Sequence, residues 1–186
     1  MTTTPLPLSH VRRVSWLLAL AGGLIILDQA TKALAIQWFM GEPALVYLGG
    51  LFRFTYAENQ GAFLSLGRGL SDGLRFGLLT GLNGVILAVV LYVICRRPGL
   101  RTGVALALSL IFAGGLGNLI DRVFRDGIVV DFMNIDLGFS VGPVPMRTGV
   151  FNVADLAIMG GLFLLLGLEL LPWGRKEDAD AASETG

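Results

Sequence analysis

Ionisable and amide side chains recur inside stretches that are otherwise apolar. Asp28 and Lys32 stand four apart in a run from about Trp16 to Met40. Asn118, Asp121 and Arg122 follow at i, i+3 and i+4 at the end of a run from about Gly103 to Ile120. Asn152 and Asp155 are three apart at the start of a run from about Phe151 to Leu171. Asp131 precedes that run inside the apolar frame Val129-Val130-Asp131-Phe132. Spacings of three and four put each set on one helical face. An ionisable group near a bilayer centre costs at least about 2.5–3.5 kcal/mol, so such groups mark function more often than decoration.

The inventory narrows the chemistry. The chain has one histidine, His10, in its polar N-terminal stretch, and one cysteine, Cys95. Nucleophilic hydrolysis by serine or cysteine needs a base beside the nucleophile, and His10 falls in the tail expected on the cytoplasmic side, away from a site at the outer face. A Ser65–Lys32 pair has no supporting motif. Zinc sites need His, Cys or carboxylate clusters at characteristic spacings, and no HExxH or CxxC pattern occurs, so no metal or cofactor is expected. Paired carboxylates remain. Two carboxyls within hydrogen-bonding distance share one proton. The charged member can then activate water while the neutral one protonates a carbonyl oxygen. Residue types alone leave structural roles open for each acid. Asp28 with Lys32 reads as an orienting ion pair, and Asp121 with Arg122 as an interfacial anchor. Asn59, Asn118 and Asn152 suit hydrogen bonding between helices. Glu169 suits the interface, Asp126 and Asp136 suit solvated loops, Cys95 is inert, and Gly114, Gly115 and Gly117 suit helix packing.

The elements that must hold these groups are membrane helices. Hydrophobic residues make up 54% and charged residues 15% of 186 residues, against about 25% charged in ordinary soluble domains. Net charge is zero, with 14 basic and 14 acidic residues, which gives no reason to expect nucleic acid as a partner. A spanning helix needs about 20 mainly apolar residues. The three runs above qualify, as does a fourth from about Phe76 to Cys95. Arg12-Arg13 before the first run and Ala33-Leu34-Ala35 within it also fit a cleavable signal peptide. The run continues apolar past that point, so it reads as a retained helix. Residues 1–15 and 172–186 are expected to be tails around a membrane domain of 16–171, with the acidic end from Glu177 disordered.

Orientation follows the basic residues. Arg12, Arg13, Arg96, Arg97, Arg101, Arg175 and Lys176 crowd short segments, whereas Arg53, Arg68, Arg75, Arg122, Arg125 and Arg147 are spread over longer ones. Both termini are therefore expected in the cytoplasm, with loops 41–75 and 121–150 outside. The stretch from Ala44 to Tyr56, around Gly49-Gly50, reads as a short hairpin on the membrane surface. Residues 127–150 read as extended, with Pro143 and Pro145 opposing helix. The expected fold is an all-α, four-helix integral membrane protein with a small extracytoplasmic β element.

Five motifs then resemble one family, the lipoprotein signal peptidases. Asp28-Gln-Ala-Thr-Lys32 is similar to the family's DxxxK, Asn59-Gln-Gly61-Ala62 to NxGA, and Gly114-Gly-Leu-Gly-Asn118-Leu-Ile-Asp121-Arg122 to GGxxGNxxDR. Val130-Asp131-Phe132 resembles VxDF, and Phe151-Asn152-Val-Ala154-Asp155 resembles FNxAD. The resemblance implies an intramembrane aspartic protease that acts as a single chain in the bacterial inner membrane. Its substrates would be prolipoproteins carrying a diacylglyceryl cysteine, approached through membrane lipid. It implies that Asp131 and Asp155 form the catalytic pair. Asn59, Gly61, Asn118, Asp121, Arg122, Asn152 and Ala154 would line or support the site, and Asp28 and Lys32 would shape the fold beside it. Two features depart from the pattern: Phe63-Leu64-Ser65 stands where the family has Ala-Phe-Ser, and the segment between the aspartates is long, with Gly142-Pro-Val-Pro145 inside it. A repurposed, inactive relative that binds lipoproteins remains a second reading, and a small transporter a third. The transporter reading lacks an inverted repeat, and the acids gather at one depth instead of tracing a path across the membrane.

Overall fold

A computed structural model of the chain describes residues 7–61 and 72–170. The elements run α1 (Leu8–Phe39), β1 (Leu45–Tyr47), β2 (Phe52–Asn59), α2 (Asp72–Arg96), α3 (Thr102–Phe124), β3 (Val129–Val141), β4 (Val144–Arg147) and α4 (Val153–Leu170). All four helices are long and apolar enough to cross a membrane. The departure at Phe63-Leu64-Ser65, the Ser65–Lys32 reading and the tail beyond Leu170 lie outside the described residues.

The bundle is apolar outside and polar inside, the reverse of a water-soluble protein. Leu82, Val85 and Tyr92 on α2 and Phe163 and Leu166 on α4 are exposed, whereas Asp28, Lys32, Asp121 and Asn152 are buried. Lipid gives apolar helices little reason to associate, so close backbone approach must hold them. Glycine supplies it. A Cβ on Gly114 would collide with the Ala154 carbonyl, and one on Gly161 would lie 2.6 Å from the Ala107 carbonyl. These two glycines seat α3 against α4 from opposite ends. α3 also packs on α1 and α2, which makes it the central helix.

α1 starts at Leu8, ahead of the Trp16 start read from hydropathy, so His10, Arg12 and Arg13 are helical. His10 is not part of a loose polar stretch. It is 4% exposed and bonds through Nε2 to the Cys95 carbonyl at 3.0 Å.

The hairpin around Gly49-Gly50 is present. β1 and β2 pair antiparallel with Leu45 opposite Phe54, across a 3-10 turn in which Gly49 and Gly50 have φ of +67° and +107°. Residues 127–150 are extended as expected, and they do more than fold on themselves. β3 pairs with β2, setting Asp131 opposite Ala57, and with β4. The sheet order is β1-β2-β3-β4. Ala35 on α1 packs with Phe132 and Met133 of β3, within a shell that includes Phe39, Phe54 and Phe151. That cluster pins the sheet to one end of the bundle.

Candidate active site

The sheet end of the bundle buries a charge cluster. Lys32, fully buried, donates to Asp28 at 2.8 Å, to Asp121 at 2.9 Å and to the Asn118 side-chain oxygen at 2.9 Å. Helical periodicity explains the convergence: Asp28 lies one turn below Lys32 on α1, and Asn118 and Asp121 share a face of α3. One ammonium against two carboxylates leaves excess negative charge, and neutral donors absorb it. The Ala154 amide donates to Asp28 at 2.9 Å and the Val130 amide to Asp121 at 3.2 Å. Gln29 donates to both acids and to the Gly117 carbonyl, each at 3.1 Å. Arg125 approaches Asp121 at 3.4 Å. Gly117 must lack a side chain, since its Cβ would lie 2.7 Å from Asp28. The cluster thus ties α1, α3, β3 and the start of α4 to one another.

A shell of three asparagines lies against this cluster. Asn118 accepts from Lys32 with its side-chain oxygen, so its amide nitrogen faces the other way and donates to Asp155 at 2.9 Å. Asn152 caps α4. Its side-chain oxygen accepts the Asp155 amide at 2.9 Å, and Asp155 accepts the Asn152 amide at 3.1 Å, a reciprocal box that satisfies otherwise orphaned donors. Its amide nitrogen donates to Asp131 at 2.7 Å, to Asn118 at 3.1 Å and to the Val130 carbonyl at 3.2 Å. Asn59 donates to Asp131 at 3.0 Å from β2. The Gly61 amide holds the Asn59 oxygen at 3.0 Å, from a backbone with φ of +78° that favours glycine. Every asparagine oxygen is therefore engaged elsewhere, and the amide nitrogens face the two carboxylates.

The paired acids sit differently. Asp131 is 2% exposed at the start of β3. Burial, and then the charge of Asp155, push its carboxyl up to about 6 against the pull of Asn59, Asn152 and Lys32. Asp155 is partly open, in the first turn of α4, where the helix dipole favours negative charge. Arg122 is half-buried; it reaches the Asn118 carbonyl at 3.5 Å, and its Nε meets no acceptor among the described residues.

The structure gathers Asp28, Lys32, Asn59, Gly61, Asn118, Asp121, Arg122, Asn152, Ala154, Asp131 and Asp155 at this end. Asp121 is no interfacial anchor: it is fully buried on Lys32. Asp131 lies in a strand and not a loop. Asp136 pairs with Arg147 at 2.9 Å. Gln29 and the Val130 main chain belong to the network but were not singled out. Gln29 sits inside the first motif, and only the packing of α1 on α3 shows what it does.

Fold and site together define a membrane protein of four helices with two carboxylates held at one end of its bundle. Three comparisons narrow that class. A family model described as signal peptidase (SPase) II matches residues 20–171. The lipoprotein signal peptidase of Chlorobium phaeobacteroides is 36% identical over 155 residues, 82% of this chain and 89% of its own. That of Sphingopyxis alaskensis is 36% identical over 165 residues, 88% and 90% of the two chains. A solved bacterial membrane enzyme, determined by the in meso method at 1.9 Å, superposes with a TM-score of 0.69 at 27% identity. It covers 84% of this chain and 93% of that one. The chain belongs to the signal peptidase II family, and it is a protease of the membrane.

Proposed function

We propose that this chain removes the signal peptide from diacylglyceryl-modified prolipoproteins. It cuts on the N-terminal side of the lipidated cysteine with a water activated by Asp131 and Asp155. The relatives' shared name supports the substrate class. The observation that carries the mechanism is Asn152, whose one side chain donates to Asp131 at 2.7 Å and locks Asp155 through the helix cap.

In this mechanism the two carboxyls carry one proton between them, as closely placed carboxyls do. The ionised member takes a proton from water as the water oxygen bonds to the scissile carbonyl carbon. The neutral member donates its proton to the carbonyl oxygen. Collapse breaks the C–N bond, and a proton returns to the leaving amine. Arg122, whose Nε meets no acceptor among the described residues, suits a substrate backbone carbonyl or the lipid headgroup region. The exposed apolar side chains of Val46, Leu48 and Leu51 suit contact with the bilayer surface beside a substrate that arrives by lateral diffusion. The working picture is a single chain in the inner membrane with its site toward the outer face and both termini cytoplasmic.

The test is cleavage of a diacylglyceryl-modified prolipoprotein, followed by gel shift, with wild type and Asp155→Asn. Cutting by wild type alone sustains the reading. Folded wild type that leaves several such substrates intact would give the lead to a lipoprotein-binding role.

A further inference from the structure

At the end of the bundle away from the carboxylates, the first turns of α1 and α3 part around a cleft of about 640 Å³. It is lined by Leu8, Ser9, Arg12, Arg13, Trp16 and Thr102. That size falls within the roughly 300–1,000 Å³ of sites that hold small molecules. Leu8, Arg12 and Trp16 recur every four residues, so one stripe of α1 forms a wall.

The electrostatics are one-sided. Arg13 donates through NH1 to the Leu100 carbonyl at 2.6 Å, and through NH2 to the Arg97 and Pro98 carbonyls at 3.2 and 3.1 Å. Its NH2 also meets His10 Nδ1 at 3.1 Å. Its Nε is buried and meets no acceptor among the described residues. None of these partners is a carboxylate. Arg12 is exposed, and neither a hydrogen bond nor an ion pair reaches it from the described residues. The first turns of α1 and α3 hold no acid, and α2 ends nearby in Arg96. Two guanidinium groups therefore stand over a partly apolar cleft without a counter-charge among the described residues. Such a cleft concentrates anions. The planar fork of arginine matches phosphate oxygens, and a half-exposed tryptophan sits naturally at headgroup level.

We propose that this cleft binds an anionic phospholipid. Arg12 and the hydroxyls of Ser9 and Thr102 take the headgroup phosphate, and the acyl chains leave along Leu8 and Trp16. A lipid fits better than a soluble anion because Leu8 is 87% and Trp16 43% exposed, on a helix that continues into the membrane.

The experiment reconstitutes the full chain in phosphatidylcholine nanodiscs. The discs are doped with photoactivatable phosphatidylglycerol or, in parallel, phosphatidylcholine bearing the same photoactivatable chain. Labelled peptides are then mapped. The expected result is several-fold more phosphatidylglycerol than phosphatidylcholine label on the first turns of α1 and α3. Arg12→Gln should lower this to the phosphatidylcholine level, whereas Arg96→Gln, a charge loss at the same end outside the cleft, should leave it intact. Arg12→Gln should keep wild-type prolipoprotein cleavage, which verifies its fold. Equal labelling by the two lipids overturns the proposal. So does an equal loss in both variants, which indicates diffuse surface attraction. Removal of the preference by millimolar inorganic phosphate also overturns it, in favour of a soluble anion.

Discussion

Lys32 and Arg13 are drawn into opposite ends of this bundle, and their surroundings differ in kind. Lys32 is fully buried between two carboxylates, with Asn118 completing its three donor positions. Among the described residues, Arg13 meets carbonyl oxygens and an imidazole and no carboxylate. A cation matched by fixed acids is finished as structure: it orients its neighbours and has no use for a ligand. A cation matched by neutral dipoles keeps its field. The polar end that is electrostatically closed therefore serves as a frame for the two aspartates beside it. The other end stays open to an anion.

The largest expected effect separates chemistry from frame. Asp131→Asn or Asp155→Asn should lower prolipoprotein cleavage by about 10²–10⁴-fold or more, with thermal unfolding in detergent close to wild type. Arg13→Met should leave cleavage within a small factor. Loss of activity on changing Arg13 would mean that the two ends are coupled.

Next comes stability. Lys32→Met strands Asp28 and Asp121 with no ammonium between them. Breaking a buried pair in this way costs about 3–5 kcal/mol, read as a large fall in unfolding temperature and poor recovery. Arg13→Met removes bonds to three carbonyls and leaves no buried charge, so about 1–3 kcal/mol is expected. Comparable losses in the two variants would erase the distinction between them.

The smallest effect is on pH dependence. Asp131 is raised from 3.8 to about 6, so its proton is held below that value and lost above it. If the pair works singly protonated, kcat/KM declines as pH rises through about 6. Asn59 donates to Asp131 and pulls its value down. Asn59→Ala should therefore move the declining limb to higher pH, by less than about one unit. A limb that stays in place would remove Asn59 from the tuning of the pair. The same elevation fixes the sign for folding. Asp131 contributes stability below pH 3.8 that is lost as pH rises through about 6.

Much of the site was legible because membrane sequences make polar residues conspicuous. Asp28, Lys32, Asn118, Asp121, Asn152 and Asp155 stand out from apolar runs, and helical spacing sets their faces. The hairpin at Gly49-Gly50 was legible from its turn glycines. The pairing of β3 with β2 was not, because strands joined across more than 60 residues of intervening chain leave no local trace. Asp131 consequently read as a loop residue, although β2 and the Phe151 bridge fix its strand. His10 reads as part of a loose polar stretch, and the partners of Arg13 stay hidden, for a related reason. A polar N-terminal stretch looks solvated until α2 and the turn after it supply the carbonyls that draw these side chains in.

One detail of the sheet bears on how such a protein changes over generations. Phe151 exchanges bonds with Met133 at 2.7 and 2.8 Å and accepts from Phe132 at 3.0 Å, which cinches the chain shut just beyond the two acids. β3 stays paired with β2 as far as Ile135, and beyond it the arm of β3 and β4 with its Gly142-Pro143 corner hangs outside that cinch. A lineage can lengthen, trim or rewrite the arm while Asp131 and Asp155 keep their places. Change in that arm is thereby uncoupled from the geometry of the two carboxylates.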